Sequence, residues 1–157
     1  MNVAMFLSPK SDIVYLFDDM TVRQAMEKLE YHRYQCLPVL TREGKYSGVV
    51  TEGDLLWAFK KYEDFTFPQT EHMTLAEIPR HFYYEAIPVD TDMDSLINTS
   101  YRQSFVPVID DTQAFIGLVK RSDIIHYIYQ RNSHLEKSGV KKNLKMPTLS
   151  ASEKLYV

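Results

Sequence analysis

Apolar residues in this chain come in short runs set off by polar turns, and one arrangement of them occurs twice. The run Cys36-Leu37-Pro38-Val39-Leu40 is followed by a turn, Thr41 to Lys45, and by Tyr46-Ser47-Gly48-Val49-Val50-Thr51. Its counterpart reads Phe105-Val106-Pro107-Val108-Ile109, then Asp110 to Ala114, then Phe115-Ile116-Gly117-Leu118-Val119-Lys120. Pro38 and Pro107, Gly48 and Gly117, and Asp54 and Asp123 lie on one ungapped diagonal at an offset of 69 residues. Self-similarity on this scale marks an internal repeat, which decides architecture before any local assignment does. Two short apolar runs joined by a five-residue turn, with Gly44 in the first copy, predict a β-hairpin in each.

Upstream of each hairpin lies an extended apolar segment, an acidic turn and residues at helical spacing. In the first copy these are Ile13 to Phe17, then Asp18-Asp19-Met20-Thr21, then Val22, Ala25, Met26 and Leu29, with Thr21 placed to cap the helix. In the second they are Ala86-Ile87-Pro88-Val89, Asp90-Thr91-Asp92, then Met93, Leu96 and Ile97. The offset here is about 71 residues, so the second helix or its exit loop is expected to be shorter. A helix follows each hairpin, from Gly53 or Asp54 to about Tyr62 and from Ser122 or Asp123 to about Arg131, with an acidic residue in its first turn. Each copy therefore reads strand, helix, strand, strand, helix, an α/β (α+β) fold of two βαββα repeats. The expected division is residues 1–62 for the first repeat with its N-terminal segment, 63–85 for a connection, 86–131 for the second repeat and 132–157 for a tail. The connection holds Pro68 and Pro79, and a short helix is expected at Leu75 to Ile78.

Composition narrows the class. Apolar residues make up 45% and aromatic residues 13%, enough to build a core. A net charge of -3 gives no general attraction to nucleic acid or to an anionic membrane, and no helix-turn-helix segment remains once the repeats are set aside. The tail is locally basic, with five Lys against two Glu in residues 133–157, and reads as a solvated segment whose far end is mobile. Cys36 is the only cysteine, which fits a reducing cytoplasm and packing in a strand rather than disulfide or thiolate-metal chemistry. The apolar run Val3 to Leu7, broken by Ser8-Pro9-Lys10, is too short for a signal-peptide core or a membrane span. The five His residues show no metal-ligand spacing, and neither a phosphate loop nor a nucleophile elbow is present. No metal site and no catalytic residue are expected.

The pattern apolar-Pro-Val, a hairpin turn, then Gly-apolar-apolar-Thr-x-x-Asp-apolar-apolar resembles the CBS domain signature. It is carried by Leu37-Pro38-Val39 with Gly48 to Leu56 and by Val106-Pro107-Val108 with Gly117 to Ile125, and the resemblance covers residues 12–131. It implies two repeats packed through their sheets about a pseudo-two-fold axis, with two clefts that take adenosyl ligands, in a module that commonly dimerises. In such modules the motif Asp holds ribose hydroxyls, the motif Thr or Ser holds ribose or phosphate, and apolar residues of the Pro-Val strand and the first strand enclose the adenine. The implied ligand-binding set is Leu37, Pro38, Thr51 and Asp54 from the first repeat, and Ile87, Val106, Pro107, Lys120, Arg121, Ser122 and Asp123 from the second.

The chemistry of these positions agrees. An ionised carboxylate can accept from both hydroxyls of a ribose, and helix N-termini offer backbone amides to phosphate oxygens. The two copies differ in charge. Lys120 and Arg121 stand beside Asp123, whereas Thr51 and Glu52 precede Asp54, so the cleft served by Lys120 and Arg121 is expected to take the more phosphorylated ligand. Lys120 also replaces the usual small hydroxyl residue. Arg33 and Arg102, just ahead of the Pro-Val strands, are further candidates to add charge.

The expected function is a stand-alone regulatory module. It binds an adenine nucleotide (AMP, ADP, ATP or cyclic di-AMP), works as a homodimer and signals to an effector protein that the sequence does not identify. S-adenosylmethionine and NAD remain open as ligands. The competing reading is a constitutive interaction module with vestigial clefts. Trp57, Phe59 and Tyr62, with Tyr127 and Tyr129 in the second copy, are candidates for a dimer surface.

Overall fold

The computed structural model describes residues 2–137. The elements run β1 (Ser8–Pro9), β2 (Leu16–Phe17), α1 (Val22–His32), β3 (Cys36–Leu40), β4 (Tyr46–Thr51), α2 (Glu52–Lys61), β5 (Ile87–Pro88), α3 (Met93–Ser100), β6 (Phe105–Ile109), β7 (Phe115–Lys120) and α4 (Arg121–Lys137). Both expected hairpins form, in matching register. Cys36 lies opposite Thr51 and Phe105 opposite Lys120, and both ladders slip at the same point, between Val39 and Leu40 and between Val108 and Ile109. The hairpin loops match too. The left-handed residue is Gly44 in one and Gln113 in the other, and Asp110 secures the second loop by accepting from the Thr112 and Ala114 amides. A parallel strand flanks each hairpin, β2 beside β3 and β5 beside β6.

Thr21 caps α1 as expected, in a reciprocal pair with Gln24. The helices before the hairpins differ in length as anticipated, 11 residues in α1 and 8 in α3. Other expectations need correction. The stretch Leu75 to Ile78 is a turn, because the Leu75 and Ala76 amides donate to Met20 and Asp18 carbonyls across the fold instead of along a helix. The short helix of the connection is a 3-10 turn at Pro68–Glu71. α4 continues past Arg131 to Lys137, so the expected tail begins as helix, and its far end lies outside the described residues. The N-terminal segment, grouped by sequence with the first repeat, gives its strand to the second: β1 pairs antiparallel with β7, Ser8 opposite Leu118. One sheet is thus β2-β3-β4 and the other β1-β7-β6-β5.

Strand residues alternate between two cores. In the first repeat Leu37, Val39 and Val50 face the helices and join Leu16, Val22, Ala25, Leu29, Leu55 and Ala58, with Phe65, Leu75 and Ile78 of the connection closing the cluster. On the opposite faces the sheets meet around Val49, Phe105 and Leu118, packed by Ile13, Cys36, Tyr46 and Tyr84. By contact the chain divides into Met1–Ile125, which holds both sheets, and His126–Val157. The latter carries the rest of α4, where Ser133 Oγ donates to the Tyr129 carbonyl. Among the described residues no helix is long and apolar enough to cross a membrane.

The β1–β7 pairing depends on Gly117, where a Cβ would meet the Ser8 carbonyl oxygen at 2.2 Å. Gly117→Ala is therefore expected to destabilise the chain by about 2 kcal/mol or more, read as a lower midpoint in urea unfolding. A variant within about 0.5 kcal/mol of wild type would show that β1 contributes little.

Candidate functional site

Where the first-strand segment of one repeat faces the β7–α4 junction of the other, the sheets leave an open cleft of about 480 Å3. Asp12, Ile13, Val14, Tyr34, Cys36, Leu37 and Pro38 form one wall, and Ser104, Phe105, Leu118, Lys120, Arg121, Ser122 and Ile125 the other. The cleft is an apolar slot with two cations and two hydroxyls on one side and a carboxylate, Asp12, on the other. Lys120 and Arg121 form no ion pair with another described residue.

Five of the expected ligand residues line this cleft: Leu37, Pro38, Lys120, Arg121 and Ser122. Asp123 follows them in the first turn of α4, exposed, with Ser122 Oγ 3.5 Å from its Oδ1. The other five do not line it. Val106 and Pro107 are buried in β6, and Ile87 is buried in β5 opposite Val108. Arg33 caps α1 in the left-handed conformation, and neither it nor Arg102 lines the cleft.

Thr51 and Asp54 are committed elsewhere. Thr51 is the N-cap of α2, and its hydroxyl and amide both bond Asp54 Oδ2 at 2.9 Å. The second oxygen, Oδ1, accepts the His81 backbone N–H at 2.8 Å and lies 3.0 Å from His81 Nδ1. Asp54 is 0% exposed. Its repeat partner Asp123 is exposed because Lys120, at the matching cap position, has no acceptor with which to build a capping box. The same replacement leaves the start of α4 without a capping hydroxyl at that position, where the Arg121 amide donates to the Ser104 carbonyl instead.

Burial shapes the remaining groups. The Cys36 thiol is pushed up to about 12, first by burial and then by the Asp54 charge. Burial likewise raises the Tyr46 phenol and lowers the Arg80 guanidinium, which donates to the Val49 and Leu75 carbonyls. Sequence reasoning missed Asp12, Tyr34 and Ser104, which precede strands and carry no motif. It also missed His81 and Arg80, which lie in the connection. No group of three or more potential metal ligands gathers among the described residues.

The sequence matches the CBS domain family twice, over residues 5–61 and 71–130, and the chain belongs to that family. No curated protein matches it. Among solved structures it is similar to CbpB in complex with c-di-AMP, at a TM-score of 0.77 and 21% identity, covering 88% of this chain and 91% of that one. It is also similar to CbpB from Streptococcus agalactiae, at 0.73 and 22%, covering 89% and 87%. CBSX2, from Arabidopsis thaliana, in complex with AMP matches at 0.65 and 19%, covering 83% and 98%. The fold is that of a tandem CBS pair.

Two outcomes follow from this geometry. Asp54→Ala strands the Thr51 and His81 amides and is expected to cost about 2–4 kcal/mol, whereas Asp123→Ala stays within about 0.5 kcal/mol. Equal losses in urea unfolding would refute the distinction. Because the Cys36 thiol is held near 12, alkylation of the native protein is expected to quicken about tenfold per pH unit from pH 8 to 10. A plateau near pH 9, as for an ordinary thiol, would contradict it.

Proposed function

We propose that this chain is a regulatory module that binds an adenine nucleotide in the open cleft and relays occupancy to a partner protein, catalysing nothing itself. The observation that carries the reading is the convergence of an apolar slot (Ile13, Val14, Leu37, Pro38 and Phe105) with Lys120, Arg121 and the first turn of α4. The slot suits a purine. The two cations and the helix N-terminus suit phosphate oxygens, and Asp123, exposed and met only by the Ser122 hydroxyl at 3.5 Å among the described donors, suits ribose hydroxyls. Similar folds that hold c-di-AMP and AMP support the same ligand class. Leu56 and Trp57, exposed on α2, give a second copy an apolar surface to cover, which supports a homodimer.

The test is thermal unfolding and calorimetry with AMP, ADP, ATP, c-di-AMP, S-adenosylmethionine and NAD. At about a hundred times its dissociation constant, the true ligand is expected to add about 2.7 kcal/mol of stability. Lys120→Ala and Arg121→Ala are each expected to weaken binding by about tenfold or more, as loss of a charge-assisted contact should. Silence across the panel would sink the nucleotide reading in favour of a constitutive interaction module.

A further inference from the structure

We propose that the segment from Arg80 to Glu85 is a built-in occupant of the second cleft, so that the chain takes one nucleotide and not two. For what the open cleft binds, this rests on the nucleotide reading; for what fills the second, it rests on the contacts below.

The pseudo-two-fold relation is visible in paired contacts. The Glu52 amide donates to Gln35 O at 3.1 Å, and the Arg121 amide donates to Ser104 O at 3.1 Å, each pair the repeat image of the other. Exchange of the repeats turns Leu118 into Val49, Phe105 into Cys36, Cys36 into Phe105 and Lys120 into Thr51. Ile13, on the wall of the open cleft, becomes Tyr84 through the 71-residue offset of the upstream segments. A second cleft with the same backbone frame is therefore expected between Tyr84, Phe105, Val49 and the start of α2.

The chain's own connection lies there. The Tyr84 ring meets Phe105 edge-on with centroids 5.1 Å apart, its hydroxyl is 3.1 Å from Ser104 Oγ, and its carbonyl accepts from the Tyr46 hydroxyl at 2.7 Å. Arg80 Nη1 donates to Val49 O at 2.6 Å. His81 brings its backbone N–H and its ring nitrogen Nδ1 to one oxygen of Asp54, at 2.8 and 3.0 Å, the kind of two-point contact a ribose diol would offer a carboxylate. An aromatic ring takes the place of a base and a histidine the place of a sugar, and Asp54 is fully covered. In the open cleft the matching positions hold Ile13 and an exposed Asp123.

Hydrogen exchange on the intact chain tests the occupancy itself. The His81 and Glu85 amides, bonded to Asp54 and Gln103, are expected to exchange about a hundredfold or more slowly than unbonded loop amides. Exchange at the open-loop rate overturns the proposal whatever nucleotides do. Titration with AMP then reads the consequence: one AMP per chain for the wild type, and two for the double variant His81→Ala with Tyr84→Ile, which copies the residue of the open cleft. Two AMP per wild-type chain overturns the proposal. So does a folded double variant that has lost exchange protection over the segment and still takes one. Should the double variant fail to fold, wild-type stoichiometry and exchange decide. Binding of no AMP at all counts against the nucleotide reading of the open cleft, and the exchange result still decides whether the second is filled.

Discussion

The packing of one sheet on the other is the interaction on which the rest of this molecule depends. Each three-stranded βαββα unit buries one face beneath its own helices and leaves the other apolar, and at roughly 25 cal/mol per Å2 that face is costly to leave in water. The surface that fits it is its own repeat. The central cluster shows this: Val49 exchanges with Leu118, Cys36 with Phe105 and Ile13 with Tyr84. Tyr46 and Phe115, also related by the repeat, stack with centroids 6.2 Å apart. A contact that is its own image fixes both clefts in one step, because each is the groove left where a first-strand segment of one repeat faces a strand-to-helix junction of the other.

Since the backbone frame is shared, differences between the clefts come from side chains off the repeat pattern. Thr51 against Lys120 is the decisive pair. A threonine at the helix start can accept from an amide and donate to a carboxylate, so it draws Asp54 inward and seals the α2 terminus. A lysine side chain cannot accept from an amide, and the Lys120 ammonium forms no ion pair with Asp123, so Asp123 stays exposed and a cation lines the cleft. One replacement thus separates a closed, self-satisfied terminus from an open one beside positive charge.

Fold and site were legible in the sequence to different degrees, for physical reasons. The hairpins could be read because register, turn and slip are set locally, and the diagonal through Pro38, Gly48 and Asp54 displays all three twice. The β1 pairing could not, because Ser8-Pro9 carries no periodicity and its partner is far along the chain. Of the site, the strand and junction residues Leu37, Pro38, Lys120, Arg121 and Ser122 were found because the repeat marks them. Sequence showed the Thr51–Lys120 difference but still offered both Asp54 and Asp123 to a ligand, because the second partner of Asp54 is His81, 27 residues away and outside any repeating pattern. One signal was present: the upstream offset sets Tyr84 against Ile13, and a large ring in place of an aliphatic residue on a cleft wall is a change of volume that the apolar pattern hides.

Tethering gives that change its thermodynamic weight. On the proposed reading, a free nucleotide entering the open cleft would meet groups that are otherwise solvated, and its full intrinsic affinity would be available. In the second cleft it would compete with a segment held at a short distance by both its ends, whose effective concentration is fixed by chain geometry and does not fall on dilution. The apparent affinity there is reduced by the fraction of time the segment is withdrawn. That fraction is small while His81, Arg80 and Tyr84 all keep their partners, because release would strand Asp54, a buried polar group whose desolvation is tolerable only while it stays hydrogen-bonded. The buried Asp54 side chain holds the segment in and the segment keeps it satisfied, so on the proposed reading the two repeats share one fold and still offer a nucleotide a single place to bind.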